Sequence, residues 1–358
     1  MGASSALGAI AKVQAGTFVS ATGVTSITPT LAAASTSGNL LVAIVTTAAN
    51  TTVTAPAGWT RAAGVFTSTA GATAVWYYPN NPGAISSVKF TLSASDSAAA
   101  QLSEWSGIET ASPLDGTGTA TATTSKTTLS VSATAAAANE LAITSFAVSG
   151  SAGNTFTPAT GWTNLMAGHA DSRTGDYEIG VGSGSVSETE TASTSGLWAG
   201  AIVTFYGSCG GGSLALTSPA TATFPGLTLN GTNQSVTTSL AFTPTDSTGS
   251  ASGWNLAGTS TTFKNAGSKT LPTTATTITA GSVVATSATC RLPTNAIAFP
   301  VTLPAAATAP AAVKLFDGGA ATGLGASTVT LTFKLSVPPN ANNGTFSSTW
   351  TFSIASGP

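Results

Sequence analysis

Short runs in which apolar residues alternate with polar ones recur along the whole chain, and they set the first expectation, which is strand. In "VKFTL", Val88, Phe90 and Leu92 fall on one face and Lys89 and Thr91 on the other, the period of two of a half-buried strand. "TVTLTFKLSVP" carries the pattern further, with Val329, Leu331, Phe333 and Leu335 set against Thr330, Thr332, Lys334 and Ser336. "ATAVWYYP", "KTTLSVSA" and "YEIGVGSG" are equally short, rich in β-branched or aromatic residues and bounded by turn formers. No apolar stripe of helical period runs between caps, and the alanine run at 135–138 is brief and set among Thr and Ser. The pattern predicts an all-β chain.

Three landmarks repeat in order. "GNLLVAIV" around Asn39 returns as "ANELAITSF" around Asn139, "APAGWTR" with Trp59 returns as "PATGWTN" with Trp162, and "AAQLSEWSG" with Trp105 returns as "AGAIVTFYG" with Phe205. The offset stays near 100 residues, so the first two hundred residues read as an internal duplication, each copy forming half of a β-sandwich. Each Gly-Trp-Thr then sits where a loop enters a strand, its indole covering the open end of its own half. The functional alternative is a pair of exposed indoles stacking on sugar rings. "GSCGGGS", Gly207–Ser213, reads as a flexible hinge. The expected organisation is an N-terminal arm at 1–15, a duplicated jelly-roll-like β-sandwich at 16–207, a Gly-rich linker at 208–213, and an Ig-like antiparallel β-sandwich at 214–358.

Composition narrows the function. Charged residues make up 6% of the 358 positions and the net charge is −2, against about 25% charged in an ordinary soluble domain. Ser, Thr, Asn and Gly must therefore keep the surface wet. No basic footprint exists for nucleic acid or anionic lipid, and the longest dense apolar run, "NLLVAIV", is far too short to span a membrane as a helix. The first positive charge is Lys12, and no secretory signal is read at the N-terminus. Cys209 and Cys290 leave two readings open, a disulfide tethering the linker to the second domain or two free thiols.

Candidate chemistry is sparse. His169 is the only histidine, and "HADSRTGDYE" gathers it with Asp171, Arg173, Asp176 and Glu178. Those types suit a metal or glycosidase site, but Asp and Gly at this density read first as a polar hairpin tip. "SETETAS" and "ASDSAAA" read first as solvated acids on a nearly uncharged surface, with a bound calcium ion as the alternative and no pattern that names its ligands. No catalytic residue, metal ligand or cofactor is expected.

Two resemblances bear on function. "STGSASGWNLAGTSTTF", followed by "VPPNANNGTFSSTWTFSIASGP", is similar to the WxL-type and related Ig-like surface domains of Gram-positive bacteria. Trp254 and Leu256 match the first motif of that family and Trp350 the Trp of the second, while Phe352 stands where Leu is expected. The resemblance implies contact with cell-wall glycan through Trp254, Leu256 and Trp350. The plain structural reading is that all three are core, since strand residues two apart share a face. The phrases "GNLLVAIV", "APAGWTR", "VWYYP", "LSEWSGI" and "PLDGT" resemble a module of tail and other virion proteins of phages infecting actinobacteria. That resemblance implies a non-enzymatic structural protein on the virion surface, a capsid decoration, fibre or tail-associated adhesive protein. Its partners would be other virion proteins of capsid or tail, copies of itself and host wall glycan, with neither nucleic acid nor membrane. The alternatives are an adhesin at the bacterial cell surface or wall, and a subunit of an extracellular filament in which the arm at 1–15 completes the sheet of the next copy.

Overall fold

The computed structural model describes residues 9–67, 70–149, 153–166, 172–210 and 212–358. No helix occurs among them, and strands account for all regular structure. The chain forms two compact units, Leu7–Ser208 and Cys209–Pro358.

The first unit holds the duplication. Its first repeat comprises β1 (Ala11–Ala15), β2 (Val19–Ile27), β3 (Leu40–Thr47), β4 (Val53–Thr54), β5 (Thr60–Thr67), β6 (Gly71–Tyr78) and β7 (Phe90–Ser106). The second comprises β8 (Leu114–Thr121), β9 (Lys126–Ala135), β10 (Glu140–Val148), β11 (Phe156–Thr157), β12 (Thr163–Asn164), β13 (Arg173–Thr174), β14 (Asp176–Val181), β15 (Gly184–Gly196) and β16 (Trp198–Tyr206). The larger sheet of the first repeat runs β1-β7-β3-β6-β5, and that of the second β8-β16-β10-β14-β12, element for element the same order. The smaller sheets also correspond: the first half of β7 pairs with β2 and β4, and β15 pairs with β9 and β11. In the first repeat one long strand crosses between the sheets; in the second it is interrupted at Leu197 to give β15 and β16. Each repeat is therefore a complete jelly-roll-like sandwich of two sheets, where the repeat length alone suggests half of one.

The two large sheets are apolar on both faces because they pack against each other as well as against their own small sheets. Leu41, Ala43 and Val45 point into the first sandwich with Phe90 and Leu102. Their neighbours Leu40, Val42 and Ile44 join Trp105 in a core shared with Leu141, Ile143, Val203 and Phe205 of the second repeat. The shared contact is reciprocal. Tyr77 meets Phe205 edge-on at 5.5 Å between ring centroids, and Tyr177 meets Trp105 edge-on at 5.0 Å, the i-to-j, j-to-i pattern of a twofold dimer interface. The register refines the repeat: Leu40 lies opposite Trp105 and Leu141 opposite Phe205, so β3 and β10 correspond at an offset of 101, one more than the landmark asparagines give.

Trp59 and Trp162 each pack into the core of their own sandwich, Trp59 edge-on to Tyr78 and Phe90 at 5.9 and 5.7 Å. The expected N-terminal arm is, over Ala11–Ala15, a strand on the end of β7; residues 1–8 lie outside the described residues.

The second unit contains β17 (Leu214–Thr217), β18 (Gln234–Asp246), β19 (Trp254–Thr261), β20 (Lys264–Asn265), β21 (Thr276–Arg291), β22 (Val301–Thr302), β23 (Ala305–Ala306), β24 (Val313–Gly318), β25 (Leu324–Val337), β26 (Phe346–Ser347) and β27 (Trp350–Ser356). One sheet runs β17-β18-β25-β21-β22; the other has β19 at its centre, between β27 and the pair β23 and β24. Phe242, Leu256, Val329, Leu331 and Phe333 fill the space between them. The glycine-rich segment is fastened rather than free: Cys209 is bonded to Cys290, and the Gly212 N–H donates to the Ser247 carbonyl at 2.8 Å, both within this unit.

Outer strand positions in both units carry hydroxyls facing hydroxyls. In the small sheet of the second repeat, Thr128, Ser130, Ser132 and Thr134 lie opposite Thr191, Thr189, Ser187 and Ser185, all exposed. In the second unit Ser239 faces Thr332, and Ser282 faces Thr330. This resolves how so few charges keep the protein wet: the sheets present paired Ser and Thr.

The disulfide closes a loop with a sequence separation of 81, so the Cys209→Ser, Cys290→Ser double variant is expected to lose roughly 4 kcal/mol of stability. Urea unfolding of the two proteins checks this.

Candidate functional site

Two of the three glycan-contact candidates are core residues. Trp254 is fully buried on β19, stacked on Phe316, and its indole N–H donates to the Gly323 carbonyl at 2.8 Å. Gly323 has φ +68°, and a Cβ there would stand 2.4 Å from the indole nitrogen, so the ring and this turn require each other. Leu256 is fully buried beside it. Neither can stack on a sugar, and the expectation for Trp254 and Leu256 is corrected accordingly. Trp350, at the start of β27, is half-buried. It packs against Phe333 at 4.9 Å and against Phe224 at 6.0 Å, and lines a shallow cleft with Phe224, Phe263 and Phe352.

The expected hairpin cluster does not stay together in solvent. His169 and Asp171 lie outside the described residues. Arg173 reaches the Ser97 carbonyl at 3.4 Å, Glu178 is half-buried on β14, and Asp176 is fully buried. The acids of "SETETAS" are corrected as well: Glu188 and Glu190 are fully buried on the inner face of β15, on the side of Val186 and Ala192.

Together these three carboxylates form the densest chemical feature among the described residues. β14 brings Asp176 and β15 brings Glu188 and Glu190 to one place inside the second sandwich, with carboxylate oxygens within 4.8 Å of one another. One oxygen of each is held: Thr144 donates to Glu188 Oε2 at 2.5 Å, Thr174 to Glu190 Oε1 at 2.9 Å, and the Asn164 amide to Asp176 Oδ1 at 2.9 Å. The other oxygen of each, Asp176 Oδ2, Glu188 Oε1 and Glu190 Oε2, accepts from no hydroxyl, amide or indole, and neither does Asn164 Oδ1; within the trio, Asp176 lies within hydrogen-bonding reach of both Glu188 and Glu190. Buried oxygens are ordinarily satisfied. Burial, and then mutual repulsion, pushes Asp176 and Glu190 up to about 8 and Glu188 up to about 9.

The duplication supplies an internal comparison. Pairing in the sheets sets Ile143 against Tyr177 as it sets Val42 against Tyr77, and Thr157 against Thr191 as it sets Thr54 against Thr91. Asp176 therefore occupies the place of Trp76, Glu188 that of Val88 and Glu190 that of Phe90. Thr144 and Thr174 stand where the first repeat has Ala43 and Ala74. All five counterparts are members of the apolar core of the first sandwich. One repeat fills this position with hydrocarbon, and the other with three carboxylates and their donors.

Two further buried acids contrast with each other. Although burial opposes its ionisation, Glu104 is held below the usual carboxylate range, because Gln14, the Thr36 backbone N–H and Asn39 all donate to it at 2.6–2.7 Å. Glu140 is pushed up to about 8, chiefly by burial and further by the charge of Asp115, which outweigh its hydrogen bonds from the Ala137 N–H and the Thr204 hydroxyl.

A carboxyl whose folded pKa lies above its ordinary value contributes stability that is complete below about pH 4.5 and lost as pH rises to about 8. Glu140→Gln keeps the acceptor for Ala137 and removes that loss. The variant should match the parent at pH 5 and exceed it on the order of 2 kcal/mol at pH 8.5, read from urea unfolding at the two pH values. No family model matches the chain, and no curated protein or solved structure matches it significantly.

Proposed function

We propose that the chain is a non-enzymatic structural protein of a tailed-phage virion, exposed on the particle surface as a capsid decoration, a fibre or a tail-associated adhesive protein. The observation that carries this reading is the hydroxyl-paved outer face of the sheets in both units. A surface of paired Ser and Thr with almost no charge packs against a neighbouring subunit without desolvating ions, and is insensitive to salt. The resemblance of the phrases around Asn39, Trp59 and Trp105 to a module of actinobacterial phage virion proteins points the same way. The partners are then other virion proteins and copies of this chain.

A second reading, an adhesin at the bacterial surface or wall, is favoured by the Cys209–Cys290 bond, because disulfides persist outside the reducing cytoplasm. The half-exposed Trp350 gives it a candidate sugar contact.

Mass spectrometry of density-purified phage particles beside washed cell-wall fractions of the same culture separates the two. The virion reading expects the chain in the particles at a level comparable to the major structural proteins. Recovery in the wall fraction alone would sink it.

A further inference from the structure

Three fully buried carboxyls set side by side, each with an oxygen that no hydroxyl, amide or indole satisfies, need a positive partner or protons. Uncompensated, such a group destabilises a fold by several kcal/mol. The first repeat demonstrates that the fold itself does not require polar residues there, since Trp76, Val88 and Phe90 occupy the equivalent positions as ordinary core. The second repeat has three carboxylates where the first has two aromatic rings and a valine, and two threonines where it has two alanines. The replacement is concerted: each new acid has a donor of its own on one oxygen and leaves the other turned inward.

We propose that the second repeat holds one calcium ion between Asp176, Glu188 and Glu190. The donor set consists of oxygen alone, which selects a hard cation over zinc or copper. One oxygen of each carboxylate lies within 4.8 Å of the others, close enough for a single ion bound at about 2.4 Å by each, the calcium distance, to reach all three. Magnesium fits less well, because it holds tightly to several waters in a small octahedral shell, and all three acids here are sealed from solvent. The ion's role is structural. It ties β14 of the large sheet to β15 of the small one through the middle of the sandwich, where the first repeat uses the contact between Trp76 and Phe90 at 5.8 Å. Since no ligand is exposed, calcium enters with folding and leaves only when the sandwich opens.

The test uses the full chain, unfolded in EDTA, refolded without metal, and melted with EDTA, with calcium chloride or with magnesium chloride. Calcium at a thousandfold excess over its Kd should raise Tm by roughly 10 °C, and elemental analysis after exhaustive dialysis should find one calcium per chain. The Glu188→Gln, Glu190→Gln double variant folds without metal, because amides carry no charge to repel, and should retain no calcium and show no calcium-dependent rise in Tm. The proposal is overturned by any of three results: no bound calcium with Tm the same in EDTA, the same calcium response in the double variant, or a larger rise with magnesium than with calcium.

Discussion

A sheet that is apolar on both faces must be covered twice, and the first unit is organised around that requirement. β3 and β10 are buried along their whole length. Alternate residues face a small sheet on one side and the other repeat on the other, so four layers follow from two strands. The contact at the centre is symmetric in its chemistry, each tyrosine of β6 or β14 meeting the aromatic residue near the end of β7 or β16 in the opposite repeat. Two sandwiches of about a hundred residues, each small for a stable core, gain a third apolar interface by pairing.

The strands, the duplication and the alternation were legible because they depend on local pattern. Val329 to Leu335 alternate in sequence and in burial alike. The arrangement of layers was not, because a strand buried on both faces, such as Leu40–Thr47, has no alternation to reveal which residues face which core. The one-residue difference between the landmark asparagines and the true register of β10 reverses its faces, and only the pairing with β16 exposes it.

The acidic cluster was hidden for a different reason. Low overall charge makes every acid, those of "SETETAS" included, look like a solubilising one. The alternation itself held the signal: Val186, Glu188, Glu190 and Ala192 share a face, and a face that begins with Val and ends with Ala is an inner one. What no local pattern supplies is Asp176 from another strand, or the threonines beneath. The tryptophans illustrate the converse. Trp254 and Trp350 lie in similar Trp-x-apolar phrases, yet Gly318 and Gly323 close around one indole while the other is left half-covered over a cleft lined by Phe224, which belongs to a segment with no strand structure.

The symmetric interface lies inside one chain, and that changes what substitution can do. In a dimer of identical subunits each replacement appears twice, so a costly group introduced on one side is introduced on both. Joined in tandem, the halves are free to specialise. One sandwich keeps apolar side chains at the positions where its partner carries carboxyl groups. Any dependence of folding on the medium that these three carboxyls bring is thereby confined to half of the pair.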